Sequence, residues 1–173
     1  EAFVLVFVAV FLFLQDFRST LIPAISVPVA IIGTFFFLNM LGFTINLLTL
    51  FATILAIGIV VDDAIVVVEA VHAKLDAGYQ SAKQASIDAL EQISSAIISI
   101  TLVMSAVFIP VSFIGGSSGI FFKQFGLTLS IAIALSAVNA LTLSPALCAL
   151  LLKADQPHQA PTSFFQRFYL AFN

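Results

Sequence analysis

Ser19 to Val61 reads STLIPAISVPVAIIGTFFFLNMLGFTINLLTLFATILAIGIVV, 43 consecutive residues without Asp, Glu, Lys or Arg. At 1.5 Å of rise per residue, a helix crosses the ~30 Å hydrocarbon core of a bilayer in about 20 residues. The run therefore holds two crossings, parted by the break from Asn39 to Asn46 that contains Gly42. Further uncharged runs occupy 2–15, 92–122 and 124–152. Over the 173 residues, 61% are apolar and 9% charged, 19 are Phe, and the mean hydropathy is +1.18. Globular chains average about 45–50% apolar and ~25% charged, so this one cannot cover itself with polar surface in water.

The expected fold is an all-α, polytopic transmembrane helix bundle. Its membrane-spanning helices are placed near 1–15, 21–40, 45–72, 92–113 and 120–152, about five in all. Residues 1–153 then form a partial transmembrane domain, with residues 73–91 as a helical connector at the membrane surface. Residues 154–173 form a polar link and the start of an amphipathic helix, because Phe164, Phe165, Phe168 and Phe172 recur on one face. Five crossings place Arg18, Lys74, Lys83, Lys153 and Arg167 on one side and Lys123 on the other. That bias predicts a cytoplasmic C-terminus and a periplasmic N-terminus. Glu1 is not an initiator Met and the first crossing is short, so the chain is expected to be a fragment of a longer protein.

Several chemistries are excluded. The chain has no basic surface for nucleic acid. Cys148 stands alone in an apolar run, where it reads as a packing residue. No cofactor is expected: Gly115-Gly116-Ser117-Ser118-Gly119 lacks the Gly-Lys-Ser/Thr ending of a phosphate loop. No metal is expected either, since helical spacing spreads Asp62, Asp63, Glu69 and His72 over more than one face.

Two charges do not fit the role of marking helix ends. Asp62 and Asp63 fall in the middle of the third crossing, with no Lys or Arg between Arg18 and Lys74. A charged Asp at a helix centre costs roughly 2.5–3.5 kcal/mol on the insertion scale, which makes such a residue a functional candidate. Adjacent helical positions lie about 100° apart. Asp63 therefore lines up with Thr49, Ala52 and Ala56, and Asp62 with Gly58 and Glu69. Small residues on those faces allow another helix to come close, which favours a helix interface over lipid. A carboxylate pair whose protonation follows partner distance and water access is suited to relaying protons. Thr49 and Glu69 are possible accessory polar groups.

The stretch Gly58-Ile-Val-Val-Asp62-Asp63-Ala-Ile-Val-Val-Val-Glu69 resembles the fourth transmembrane helix of the resistance-nodulation-division (RND) superfamily, in its hydrophobe/amphiphile efflux branch of AcrB-type multidrug pumps. Gln15-Asp-Phe-Arg18-Ser-Thr-Leu-Ile-Pro23, Gly42-Phe-Thr-Ile-Asn46, Ser105-Ala-Val-Phe-Ile-Pro110, Phe113-Ile-Gly115-Gly116 and Ser144-Pro145-Ala-Leu-Cys148-Ala are similar to flanking segments of the same family. The resemblance implies a piece of the N-terminal half of the membrane domain of a drug/proton antiporter in the bacterial inner membrane. It further implies that Asp62 and Asp63 match the proton-relay aspartates and pair with a Lys from the second half. Protons and hydrophobic or amphiphilic small molecules are then the transported species. The lipid bilayer is the surroundings, and the assembly is a homotrimer with a periplasmic adaptor and an outer-membrane channel. Ala70 departs from the pattern, since many relatives carry Asn after the Glu; this puts a local contact in doubt, not the relay.

An intramembrane aspartyl protease also places two Asp in a bilayer, and is the alternative. It takes them from different helices, whereas these are consecutive, and the Gly-x-Gly-Asp pattern is missing. A soluble isoprenoid enzyme would need a third Asp after Asp62-Asp63-Ala-Ile-Val. A purely structural role would tolerate Leu at both positions.

Overall fold

The computed structural model describes residues 2–14, 16–116 and 118–152. In chain order it contains α1 (Ala2–Leu14), α2 (Phe17–Met40), α3 (Leu47–Asp76), α4 (Ala82–Val111), α5 (Gly119–Leu141) and α6 (Leu143–Leu151). No strand occurs among the described residues. The molecule is an all-α helix bundle, and four segments are long and apolar enough to cross a membrane: α2, α3, α4 and the combined α5–α6. α1, with 13 residues, is about 20 Å long and falls short of the hydrocarbon thickness.

Local chemistry sets the ends. Asp16 caps α2 by accepting the Ser19 N–H at 2.9 Å. Asn46 caps α3 in a reciprocal box: its Oδ1 accepts from the Leu48 and Thr49 amides, and its own N–H donates to Thr49 Oγ1 at 2.9 Å. α2 and α3 both stop at glycines in the left-handed region, Gly42 with φ 75° and Gly78 with φ 100°. At each, the next amide reaches back five residues, Phe43 to the Leu38 carbonyl and Tyr79 to the Lys74 carbonyl. A residue with a Cβ adopts that conformation only with strain.

Three helix limits differ from the sequence expectation. The connector read at 73–91 is helical as expected but is not a separate element: α3 continues to Asp76 and α4 begins at Ala82, leaving 77–81 as the turn. Hydropathy marks where lipid ends, but the backbone stays helical in water: at about 45 Å, a 30-residue helix overshoots the core. α2 likewise begins at Phe17, where Asp16 caps it, before the apolar run expected from 21. The crossing read as 120–152 breaks at Thr142, whose φ of −124° and ψ of −65° are not helical. Pro145 is the cause: it has no N–H for the Leu141 carbonyl, and its ring clashes with that carbonyl. The amphipathic helix expected after residue 153 lies outside the described residues.

α3 is the central helix. Its Val67, Val68 and Val71 join Ile22, Ala85, Ala89, Ala137, Ala140 and Cys148 in one cluster that ties α2, α4, α5 and α6 to it. Val60 and Val61 pack with Val10, Val27 and Ala30 of α1 and α2. Ala52 and Ala56 meet Leu129, Ala132 and Ile133 of α5. α4 lies at the periphery: only 6% of its most apolar window is buried, against 50% for α5–α6. Its outward Ile98, Ile100, Leu102, Val103 and Val107 suit contact with lipid chains.

Candidate functional site

The aspartate pair lies 15 and 16 residues into α3, at the middle of its 30 residues. Val60, Val61 and Ala64 on either side are buried. The two carboxylates part company there. Asp63 is half-buried and accepts a hydrogen bond from Ser136 Oγ of α5 at 2.5 Å. Ser136 is itself buried. Asp62, one residue earlier and about 100° around the helix, is exposed.

The two accessory groups are not brought to the pair. Thr49 is fully buried on the Asp63 face but 14 residues earlier, about 21 Å along the axis. Its hydroxyl is engaged in the α3 cap, donating to the Asn46 carbonyl at 3.0 Å and accepting the Asn46 amide. Glu69 is exposed on the Asp62 face, two helical turns on. Gly58, Asp62, Val66 and Glu69 thus form one exposed stripe, while Ala52, Ala56 and Asp63 turn toward α5.

Ser136 was not singled out from the sequence. The only signal was a polar residue in an uncharged run, and α5 has several. Thr128 and Ser130 spend their hydroxyls on the carbonyls four residues back, those of Gln124 and Gly126. Ser136 reaches across to α3 instead, a difference that only the helix pairing reveals. A hydroxyl at this place donates to a carboxylate and can accept from a carboxylic acid, so it can hold Asp63 in either charge state.

No group of three or more His, Cys, Asp or Glu is arranged to hold a metal ion among the described residues. A second polar connection joins α2 to the far end of α3, where Ser19 Oγ lies 2.6 Å from His72 Nε2 and donates to Asp16 Oδ2 at 2.6 Å. It too went unread in the sequence, where the three residues stand up to 56 positions apart.

Residues 1–173 match the model of the AcrB/AcrD/AcrF family. The chain is 47% identical over 175 residues to the multidrug export protein AcrF of Escherichia coli K12, covering all of this chain and 17% of that protein. It is 47% identical over 173 residues to the multidrug resistance protein MdtF of the same strain, covering 99% of this chain and 17% of the relative. It is 46% identical over 175 residues to the solvent-resistant pump membrane transporter SrpB of Pseudomonas putida, again covering all of this chain and 17% of the relative. The chain thus spans about one sixth of the length of these relatives. The protease alternative finds no support: the matched proteins are export and efflux proteins, and both aspartates sit on one helix. A whole-chain family match and near-half identity together place this sequence, an RND chain from the N-terminal region of its relatives, in the AcrB/AcrD/AcrF family.

Proposed function

We propose that this chain is part of the membrane domain of a proton-driven efflux transporter of the bacterial inner membrane, and that Asp62 and Asp63 carry its protons. The observation behind this reading is the split pair: two consecutive mid-span carboxylates, one bonded to Ser136 within the bundle and the other open on the α3 surface. A span that needed only cohesion would place one polar group inside and none outside. Here the second carboxylate faces the side on which the rest of the parent polypeptide can supply a cation. A charge moved through the membrane field yields about 2.3 kcal/mol per 100 mV, which is enough to bias helix positions during a transport cycle.

In this cycle the ionised pair attracts the cation, and protonation releases it. Asp63 keeps its serine partner in both states, so its position is maintained while its charge changes. Exported substrates are hydrophobic or amphiphilic small molecules, in keeping with relatives named for multidrug export and solvent resistance. The parent works as a homotrimer with a periplasmic adaptor and an outer-membrane channel. The C-terminus of this chain is cytoplasmic, from the five-to-one distribution of Lys and Arg, and with α1 counted as the end of a fifth crossing the N-terminal side is periplasmic. No covalent chemistry is assigned to either carboxylate.

The test is energisation of the full-length parent. In proteoliposomes with an imposed proton gradient, export runs, and it stops when a protonophore collapses the gradient. Export that continues without the gradient overturns the reading. Within the site, Ser136→Ala in the parent is expected to lower export about threefold to tenfold at unchanged protein level, since an intramolecular hydrogen bond contributes about 0.5–1.5 kcal/mol net. Ser136→Thr restores the hydroxyl and is expected to recover most of the rate. Equal export by Ser136→Ala and the parent would show that Ser136 does not position Asp63.

A further inference from the structure

We propose that Asp16, Ser19 and His72 form a proton-responsive latch, which draws the start of α2 and the end of α3 together when His72 is charged. The hydrogen-bond donors establish the chain of contacts. Asp16, the N-cap of α2, accepts both the Ser19 amide at 2.9 Å and the Ser19 hydroxyl at 2.6 Å. That hydroxyl has a single proton, spent on the carboxylate, so at its 2.6 Å contact with His72 it can only accept. His72 Nε2 therefore carries a proton, either as the neutral Nε2–H tautomer or as the imidazolium. Both forms make the contact, but only the imidazolium adds charge to it, and charge-assisted hydrogen bonds are roughly twice as strong as neutral ones.

Helix polarity runs along the contact. α2 presents its N-terminus at Asp16, and α3 ends four residues after His72, so the negative group sits at a positive helix end and the ring near a negative one. Partial burial pushes the Asp16 carboxyl up, but the Ser19 hydroxyl, the Ser19 and Arg18 amides and the His72 ring outweigh it and hold it below its ordinary value. Asp16 is thus the ionised end of the latch down to low pH, and the contact is charge-assisted when the ring carries its second proton and neutral when it does not.

The other charges on the packed elements are Arg18 on α2, Asp62, Asp63, Glu69, Lys74 and Asp76 on α3, Lys83, Asp88 and Glu91 on α4, and Lys123 near the start of α5. α1 and α6 contribute none among the described residues. Asp88 is taken up by the Tyr79 hydroxyl at 2.7 Å and Gln84 at 2.9 Å, and Lys74 lies over the Tyr79 ring. Arg18 and Glu69 are exposed and opposite in sign. His72 therefore has Asp16 as its bonded ionic neighbour, through Ser19. Because α3 also carries Asp62 and Asp63, the latch makes the hold on that helix depend on pH at its far end.

The experiment is hydrogen exchange in the full-length parent, read on the segment containing the Ser19 and Thr20 amides and corrected for intrinsic rates. Protection is expected to be about threefold to tenfold greater at pH 6 than at pH 8.5. His72→Gln keeps an N–H donor without a titratable charge, and is expected to hold intermediate protection with no pH step. Ser19→Ala, which cuts the link but leaves the Asp16 cap, removes the step as well and decides the matter if His72→Gln fails to fold. A flat profile in the unaltered protein, a step that survives either substitution, or an equal step at the Ser81-capped start of α4 would overturn the latch.

Discussion

Asp63→Asn in the full-length parent is expected to abolish gradient-driven export, by at least about tenfold, or roughly 1.4 kcal/mol on the rate-limiting barrier. The substitution is chosen to separate proton chemistry from packing. Asn has the volume of Asp, and its side-chain carbonyl still accepts from Ser136, so the α3–α5 contact survives while the titratable proton is gone. The measurement is substrate efflux by inverted membrane vesicles under an imposed gradient, normalised to transporter amount. Full export by Asp63→Asn would sink the relay assignment.

Asp62→Asn gives the complementary reading. Asp62 is exposed in this chain, so its replacement disturbs no internal bond, yet the same loss of export is expected if its partner lies elsewhere in the parent. A pair that served only as structure would tolerate Leu at both places. Loss with Asn and with Leu alike, in protein that still folds, is the pattern of a working carboxylate and not of helix cohesion.

The membrane nature of the chain was legible from Ser19 to Val61 alone, because 43 uncharged residues have no other stable setting. One face of α3 was legible as well. A 100° step per residue put Asp63 with Ala52 and Ala56, and those alanines are buried against α5, but the helix interface expected for Asp62 as well is not formed within this chain, where that carboxylate is exposed. Helix ends were less legible, since charge density reports the edge of lipid, whereas Asp16, Asn46, Ser81 and the glycines after α2 and α3 determine where the backbone turns. The break at Thr142 was latent in Pro145 but was read as part of one long crossing. Ser136 and the Ser19–His72 contact were not legible at all. A serine in a membrane helix satisfies itself on the carbonyl four residues back, as Ser26 and Ser130 do, and only tertiary pairing shows which one reaches across.

The second large effect is expected at Gly126, where α5 packs tightly on the end of α4. A Cβ added there would lie 2.5 Å from Ser112 Oγ, 2.9 Å from the Phe108 carbonyl oxygen and 3.4 Å from the Ser112 amide. Two of these are backbone atoms, and the Phe108 carbonyl already receives the Ser112 hydroxyl and amide, so nothing nearby can yield cheaply. Gly126→Ala is expected to cost about 1–3 kcal/mol as overpacking, and Gly126→Leu more, forcing the helices apart. Since α5 also carries Ser136, ten residues and about 15 Å further on, the displacement is expected to loosen the hold on Asp63 as well. The readout is the thermal midpoint of the parent in detergent, followed by size-exclusion chromatography of the heated sample. Gly58 supplies the contrast: a Cβ there meets nothing within 4 Å in this chain, and Ala is the better helix former by up to about 1 kcal/mol. Gly58→Ala is therefore neutral or stabilising unless another helix of the parent packs on the stripe shared with Asp62. A clear drop in the midpoint with Gly58→Ala would locate that helix against the exposed carboxylate, whereas a drop at Gly58 and none at Gly126 would contradict the packing of α4 on α5.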